Sequence, residues 1–317
     1  LTYECGDVFQ YYDLASLTKI ICTVPALMWA YENKGLKLDS QVSYYLGDLP
    51  WGKDVCILDL LTHSSGLIAW EPFYYSVGLD AKKDLQNFLK NQKAGSKSNS
   101  VEKSVYSDLG FLTLGWILEK IFSDSLENIF NLLKKSFGFS STLRFHPGNQ
   151  CPENLDLYAP TEVCSWRAKL IQGEVHDENA WVLGGVAPHA GLFGSLEDVV
   201  GYGLWLRDVY RGQEWGIRPE TLRLFARRAT SKGDWGLGFM LPTVGSASCG
   251  RYFALDSFGH TGFTGTSLWY DHHEDFLVVI LSNRVFNGRL KKDFTHLRPY
   301  LHEKAFEMVK GNYKGKS

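Results

Sequence analysis

Along the first half of the chain the apolar positions recur at helical spacing. From Ser16 the run Leu17-Thr18-Lys19-Ile20-Ile21-Cys22 continues through Trp29 and Tyr31 to Gly35. The pattern predicts a buried central helix, bent at Pro25 and closed by Gly35. Ile57-Leu58-Asp59-Leu60-Leu61 is a second helical patch ending at Gly66, and Asp80 to Asn91 has amphipathic helical patterning. Residues 92–105 are polar and rich in serine and lysine, which predicts a loop delivering the chain to Tyr106. Beyond it, Leu109, Leu112, Trp116, Ile117 and Ile121 mark a helix that Ser107 or Asp108 can cap. A shorter helix is expected from about Leu126 to Phe137.

The C-terminal part is patterned differently. Segments at 235–241, 251–255, 258–270 and 276–282 read as strands, the last as the apolar run Phe276-Leu277-Val278-Val279-Ile280-Leu281. A helix from about Phe294 to Val309 follows. Helices first and strands last predict an α/β (α+β) fold, with an all-helical lobe beside a lobe built on a mainly antiparallel sheet.

With 317 residues, 44% of them hydrophobic and 14% aromatic, the chain can bury a substantial core. Lys+Arg 33 against Asp+Glu 35 leaves a net charge of -2. No global positive field exists to gather nucleic acid or an anionic membrane, so the expected partner is a small molecule or a polymer met locally. No apolar run approaches the roughly 18 residues of a spanning helix, and no charged-then-apolar leader precedes Ser16. The cysteines, Cys5, Cys22, Cys56, Cys151, Cys164 and Cys249, are too dispersed for a zinc motif or a compact disulfide framework. Cys22 reads as a small buried hydrophobe, and Cys151 and Cys164, flanking a proline-containing loop, could bridge in an oxidising compartment. No close Cys/His cluster, phosphate-cradling loop or dinucleotide fingerprint stands out, so neither a metal nor an organic cofactor is expected. Gly184-Gly185 with Gly191 and Gly194 fits a tight turn better than a nucleotide loop.

The candidate chemistry begins at Ser16-Leu17-Thr18-Lys19, where a hydroxyl and an amine lie one helical turn apart. Apolar surroundings would press the Lys19 pKa down until the amine could activate the serine. The tetrapeptide alone is common: Ser104 and Ser231 also lie near lysines, and a serine N-cap with a solvated lysine satisfies the same spacing. Two later segments give it company. Tyr106-Ser107-Asp108 comes next, then His260-Thr261-Gly262 followed by Phe263-Thr264-Gly265-Thr266.

In this order the three segments resemble the motifs of the serine hydrolases of the penicillin-binding-protein and class C β-lactamase group. Those motifs are serine-x-x-lysine, tyrosine-x-asparagine, and lysine or histidine before threonine-glycine. The chain resembles bacterial hydrolases related to penicillin-binding protein 4B. The likeness covers Asp13 to Ile21, Leu60 to Leu67, Tyr106 to Gly110, His176 to Ala180, Gly184 to Gly194 and Phe258 to Asp271. It implies one β-lactamase/transpeptidase-like domain over 1–317, with a helical lobe at about 36–185 and an α/β lobe at about 1–35 and 186–317. The active site would lie in the cleft between them. Members usually carry a helix and strands ahead of the first motif, so either the protein extends upstream or its sheet is thinner.

By this resemblance Ser16 is the nucleophile of an acyl-enzyme, and Lys19 and Tyr106 share the role of base. Tyr106 must then lose pKa to positive charge on Lys19 and on protonated His260. The Ser16 and Phe263 N–H groups would form the oxyanion hole. His260, Thr261 and Gly262 would hold substrate, with carboxylate binding weakening as pH rises and His260 loses its charge. Asp108 departs from the usual asparagine. It can accept but not donate, it could pair with Lys19 and raise that pKa, or it could simply favour a helix N-terminus. His63, His176 and His189 read as structural or supporting. The implied activity is a D-alanyl-D-alanine carboxypeptidase on cell-wall stem peptides, periplasmic or extracellular. The alternatives are an esterase or amidase, a weak β-lactamase, or a non-catalytic penicillin- or peptide-binding protein.

Overall fold

The apolar run after Ser16 is helical and buried on nearly every side, as a run without a polar face must be. Lys19–Thr23 is wound as a π-turn and α1 (Val24–Asn33) continues from it, with Pro25 in its first turn. Proline returns no N–H to the carbonyl four residues back, so the bend expected at Pro25 is realised as a widened turn ahead of it. The computed structural model describes residues 1–47, 49–76, 78, 80–94, 104–229, 233–290 and 293–313, so most of the polar loop expected at 92–105 lies outside the described residues.

Helices α2 (Val42–Tyr45), α3 (Ile57–Leu61), α4 (Ala81–Lys90), α5 (Asp108–Phe122) and α6 (Leu126–Phe137) share one hydrophobic core with α1, and α2, α3 and α6 pack on α5. The Ser107 hydroxyl accepts the Gly110 N–H at 3.2 Å and caps α5, whose residues Leu109 to Leu118 are all buried. Midway along α5, Gly115 faces Pro188: a Cβ there would stand 2.5 Å from Pro188 Cγ. The absence of a side chain thus lets α5 close on the segment 188–189, which becomes important at the site.

The first strand, β1 (Tyr12–Asp13), brings the chain to Ser16. Downstream lie a hairpin of β2 (Glu162–Cys164) and β3 (Lys169–Ile171), the short α7 (Glu178–Val182), and β4 (Phe193–Gly194), which pairs antiparallel with β1. Helices α8 (Leu196–Tyr210) and α9 (Pro219–Ala226) precede an antiparallel sheet of β5 (Phe258–Thr261), β6 (Ser267–Asp271) and β7 (Phe276–Ile280), and α10 (Asp293–Tyr313) follows. The sheet is covered on both faces. Leu268 and Tyr270 join the main core beneath α8, where Gly203 admits Leu277 and Leu268, whereas Trp269 packs with Phe253 and Phe276 beneath Phe306 of α10. All five residues of β6 are buried for this reason.

Several expectations are corrected. The segment 258–270 is a hairpin rather than one strand, because Gly265 at φ +106° turns the chain between β5 and β6. Segments 235–241 and 251–255 form turns. Gly238 at φ +85° interrupts the first, leaving only the isolated bridges Trp235 to Met240 and Met240 to Gly259. Helices α8 and α9 add to the elements expected from the sequence, and each carries a local start signal, the Ser195–Asp198 capping box and Pro219 in the first turn. The cysteines are all free. Cys164 is buried, accepting the Arg167 N–H at 3.4 Å, while Cys151 faces solvent, so the considered bridge is not formed.

Replacing Gly115 by alanine should push α5 off Pro188 and cost about 1–3 kcal/mol, as overpacking does. The expected outcome is a lowered urea midpoint for Gly115→Ala; an unchanged midpoint would contradict the close approach.

Candidate active site

Ser16 stands at the end of a strained approach. Ala15 has φ +46°, a region a non-glycine residue occupies only when its surroundings over-determine it, at a cost of roughly 1–3 kcal/mol. Here they do. The buried Asp13 carboxylate accepts the Ala15 N–H at 2.8 Å and the His176 N–H at 2.7 Å, and the Leu14 N–H reaches the Leu192 carbonyl at 2.9 Å. Burial raises the Asp13 pKa, against the pull of those donors.

The turn between β5 and β6 is fastened to the same segment. Thr264 Oγ1 donates to the Asp13 carbonyl at 2.8 Å and Thr266 Oγ1 to the Leu14 carbonyl at 3.0 Å. A Cβ on Gly262 would collide with Thr266 Oγ1 at 2.1 Å and the Leu14 carbonyl at 2.8 Å, so only glycine permits this contact. Arg298 Nη2 donates to the Gly262 carbonyl at 3.0 Å and Arg284 Nε to the Phe263 carbonyl at 2.7 Å. These two carbonyls are therefore spoken for. The N–H groups of Ser16 and Phe263 are donated to no described residue, as an oxyanion hole requires.

Around the Ser16 hydroxyl three side chains converge. Lys19 Nζ donates to Ser16 Oγ at 2.9 Å, and the Tyr106 hydroxyl donates to the same oxygen at 2.9 Å. Lys19 Nζ also donates to Asp108 Oδ1 at 2.7 Å and to the His189 carbonyl at 3.3 Å. An ammonium has three protons to give, and these are three acceptors. Tyr106 and Asp108 are delivered by the loop after α3: the His63 carbonyl accepts the Val105 N–H at 3.0 Å, His63 Nδ1 the Ser107 N–H at 3.0 Å, and the Ala69 carbonyl the Asp108 N–H at 2.9 Å.

The electrostatics differ from the expectation at Tyr106 and His260, and at Lys19 they follow the pairing with Asp108 rather than the lowering by apolar surroundings. Burial pulls the Lys19 pKa down, but the Asp108 carboxylate and Tyr106 outweigh it, and the net shift is upward. Tyr106 is pushed up to about 12, because burial and the charge of Asp108 exceed the lowering effect of Lys19. His260 is lowered to about 3 by burial, then by Lys19, and is a neutral imidazole at physiological pH. Its Nδ1 donates to the Thr261 carbonyl at 2.8 Å, which leaves Nε2 as a buried lone pair without a partner among the described residues. The resting cluster is thus ammonium, phenol and neutral histidine.

The structure gathers Ser16, Lys19, Tyr106 and Asp108 into one hydrogen-bonded cluster and places the Gly262–Phe263 backbone against its approach. His260 and Thr261 lie beside it: the His260 ring centroid is 5.8 Å from that of Tyr106 but makes no hydrogen bond to the cluster. Sequence reasoning missed Asp13, the His189 carbonyl, Thr264, Thr266 and Trp235. Asp13 and the two threonines lie within the motif segments and were legible as such. Trp235, which stacks on Tyr106 at 5.6 Å and abuts His63 at 4.3 Å, gave no signal.

Residues 10–301 match the protein family described as Beta-lactamase. A Salmonella agona protein named "Putative D-alanyl-D-alanine carboxypeptidase" is 31% identical over 306 residues, covering 86% of this chain and 69% of the relative. Among solved structures, the penicillin binding protein from Bacillus halodurans superposes with a TM-score of 0.63 at 16% identity, covering 86% of this chain and 82% of its own. EstCE1, described as a hydrolase with promiscuous acyltransferase activity, gives 0.66 at 18% identity, covering 92% and 85%. At those identities the likeness establishes the β-lactamase/transpeptidase-like fold. Family and relatives together define a serine hydrolase. The chain belongs to the Beta-lactamase family.

Because His260 is already neutral, no change of charge at residue 260 should affect an anionic substrate between about pH 5 and 8. The KM of a carboxylate-bearing substrate, followed across that range in the wild type and in His260→Gln, should show no limb that depends on residue 260. A limb near about pH 6.5 that disappears in His260→Gln would contradict this assignment.

Proposed function

We propose that this serine hydrolase is a D-alanyl-D-alanine carboxypeptidase that cleaves peptidoglycan stem peptides through an acyl-enzyme at Ser16. The observation that carries the proposal is the Ser16 hydroxyl held at 2.9 Å by both Lys19 and Tyr106, beside two backbone N–H groups with no described acceptor. The name of the Salmonella relative supports the substrate class. Such substrates place the enzyme in the periplasm or outside the cell.

In the proposed reaction Ser16 Oγ attacks the acyl carbon while the oxyanion gathers the Ser16 and Phe263 N–H groups. A protonated lysine cannot take the serine proton unless it releases one of its own. Lys19 therefore passes a proton to Asp108 as it receives that of Ser16. Tyr106, a neutral phenol, protonates the leaving nitrogen as the C–N bond breaks, and the Lys19–Asp108 pair restores the phenol proton. The net transfer is of the Ser16 proton to the departing amine. Water then enters by the reverse sequence, releasing the acid and regenerating Ser16. Asp108 in place of the family's asparagine thus serves as the proton store for a lysine that is charged at rest.

A second reading, hydrolysis of neutral esters or amides at the same site, is favoured by the neutral His260, which provides no charge for a terminal carboxylate. Mass spectrometry of the intact protein after exposure to penicillin, D-alanyl-D-alanine peptides and short-chain esters separates these possibilities. A stable penicilloyl adduct, absent in Ser16→Ala, with turnover of the peptide is expected. Acylation by esters alone would favour the second reading, and adducts that persist in Ser16→Ala would overturn both.

A further inference from the structure

At the far end of β6 from the Gly262–Thr266 turn, two adjacent histidines and an aspartate converge in a way that the hydrolase chemistry does not use. His272 Nε2 lies 3.2 Å and His273 Nε2 3.1 Å from the same oxygen, Asp256 Oδ2. The three donor atoms all fall within 4.8 Å of one another. We propose that Asp256, His272 and His273 form a binding site for a borderline divalent transition-metal ion of the Zn²⁺ class.

The geometry suits such an ion. Zinc bound about 2.1 Å from nitrogen and oxygen donors in a tetrahedron sets those donors roughly 3.4 Å apart, close to the two measured separations. Two imidazoles and one carboxylate select the Zn²⁺, Ni²⁺ and Cu²⁺ group over Mg²⁺ and Ca²⁺, which require oxygen cages. His273 and Asp256 are exposed, which leaves room for water to complete the coordination. The nearby Asp275 carboxylate is committed to Arg207 at 2.6–2.7 Å and contributes nothing.

The site is also built rather than accidental. Its ligands come from two loops that one buried carboxylate holds together. Asp271 Oδ2 accepts the Ala254 N–H and the Ser257 hydroxyl at 2.8 Å, fixing the loop that carries Asp256. Asp271 Oδ1 accepts the N–H groups of His273 and Glu274 at 2.9 Å, fixing the turn that carries both histidines. Tyr210 of α8 stacks on the His272 ring at 4.8 Å and sets its plane. Supporting contacts of this kind orient ligands before the ion arrives. In sequence the aspartate is separated from the His-His pair by the whole β5–β6 hairpin, so the spacing resembles no metal motif.

The test is a titration of the full chain with Zn²⁺ against a chromophoric chelator, repeated with Mg²⁺ and Ca²⁺, and with Co²⁺ for its visible spectrum. One equivalent of Zn²⁺ should bind, with affinity reduced about tenfold or more in Asp256→Asn and in His272→Gln. Zn²⁺ should also raise the melting temperature of the wild type but not of either variant, with circular dichroism establishing that both are folded. The Co²⁺ spectrum should show d–d bands without thiolate charge transfer. Absence of binding, equal binding by both variants, or a thiolate band pointing to the exposed Cys5 or Cys151 would overturn the proposal.

Discussion

An ammonium removed from water must find an acceptor for each of its protons, and Lys19 finds them on three separate stretches of chain. Ser16 lies on its own turn, Asp108 is 89 residues away, and the His189 carbonyl is 170 away. Burying a charge costs several kcal/mol unless it is paired and hydrogen-bonded, so these acceptors constrain how the elements around Lys19 assemble. The surrounding contacts follow from that demand. Gly115 lets α5 lie on Pro188, Thr23 Oγ1 donates to the Pro188 carbonyl at 2.6 Å, and Thr18 Oγ1 accepts the Leu192 N–H at 3.2 Å. Together they hold the segment 188–192 where its carbonyl can face the lysine.

The second constraint is on the backbone that carries Ser16. A left-handed Ala15 would relax if left free, and it is pinned from one side by Asp13 and from the other by the β5–β6 turn. The same hydrogen bonds that maintain the strain fasten the β5–β6 turn, which carries Phe263, to the segment that carries Ser16. Side-chain chemistry from the helical part and backbone chemistry from the sheet thus meet at one hydroxyl. The cluster at that hydroxyl depends on contacts made by residues far apart in sequence.

Much of this was legible in the sequence where the signal is local. The helix after Ser16, the cap at Ser107 and the apolar face of α5 follow from spacing, and the three motif segments identified the family. What failed was non-local. The apolar neighbours of Lys19 suggested a lowered pKa and Asp108 of the second motif a raised one, and only the folded contact that α5 makes with Lys19 decides for the latter. His260 looked like a conditional cation because an unperturbed imidazole titrates near neutrality, whereas its folded surroundings exclude water. The strand patterning at 235–241 was real in composition, yet Gly238 and the N–H it gives to the Leu61 carbonyl divert the chain into a turn.

The central claim is that Lys19 rests as an ammonium because Asp108 outweighs its burial. The direct measurement is the pH titration of the Lys19 side chain by heteronuclear NMR on lysine-labelled protein, assigned by its loss in Lys19→Met. The wild-type signal should remain that of an ammonium beyond the ordinary lysine pKa of about 10.4, and in Asp108→Asn it should titrate at a lower pH. A wild-type Lys19 that loses its proton near neutrality would contradict the account.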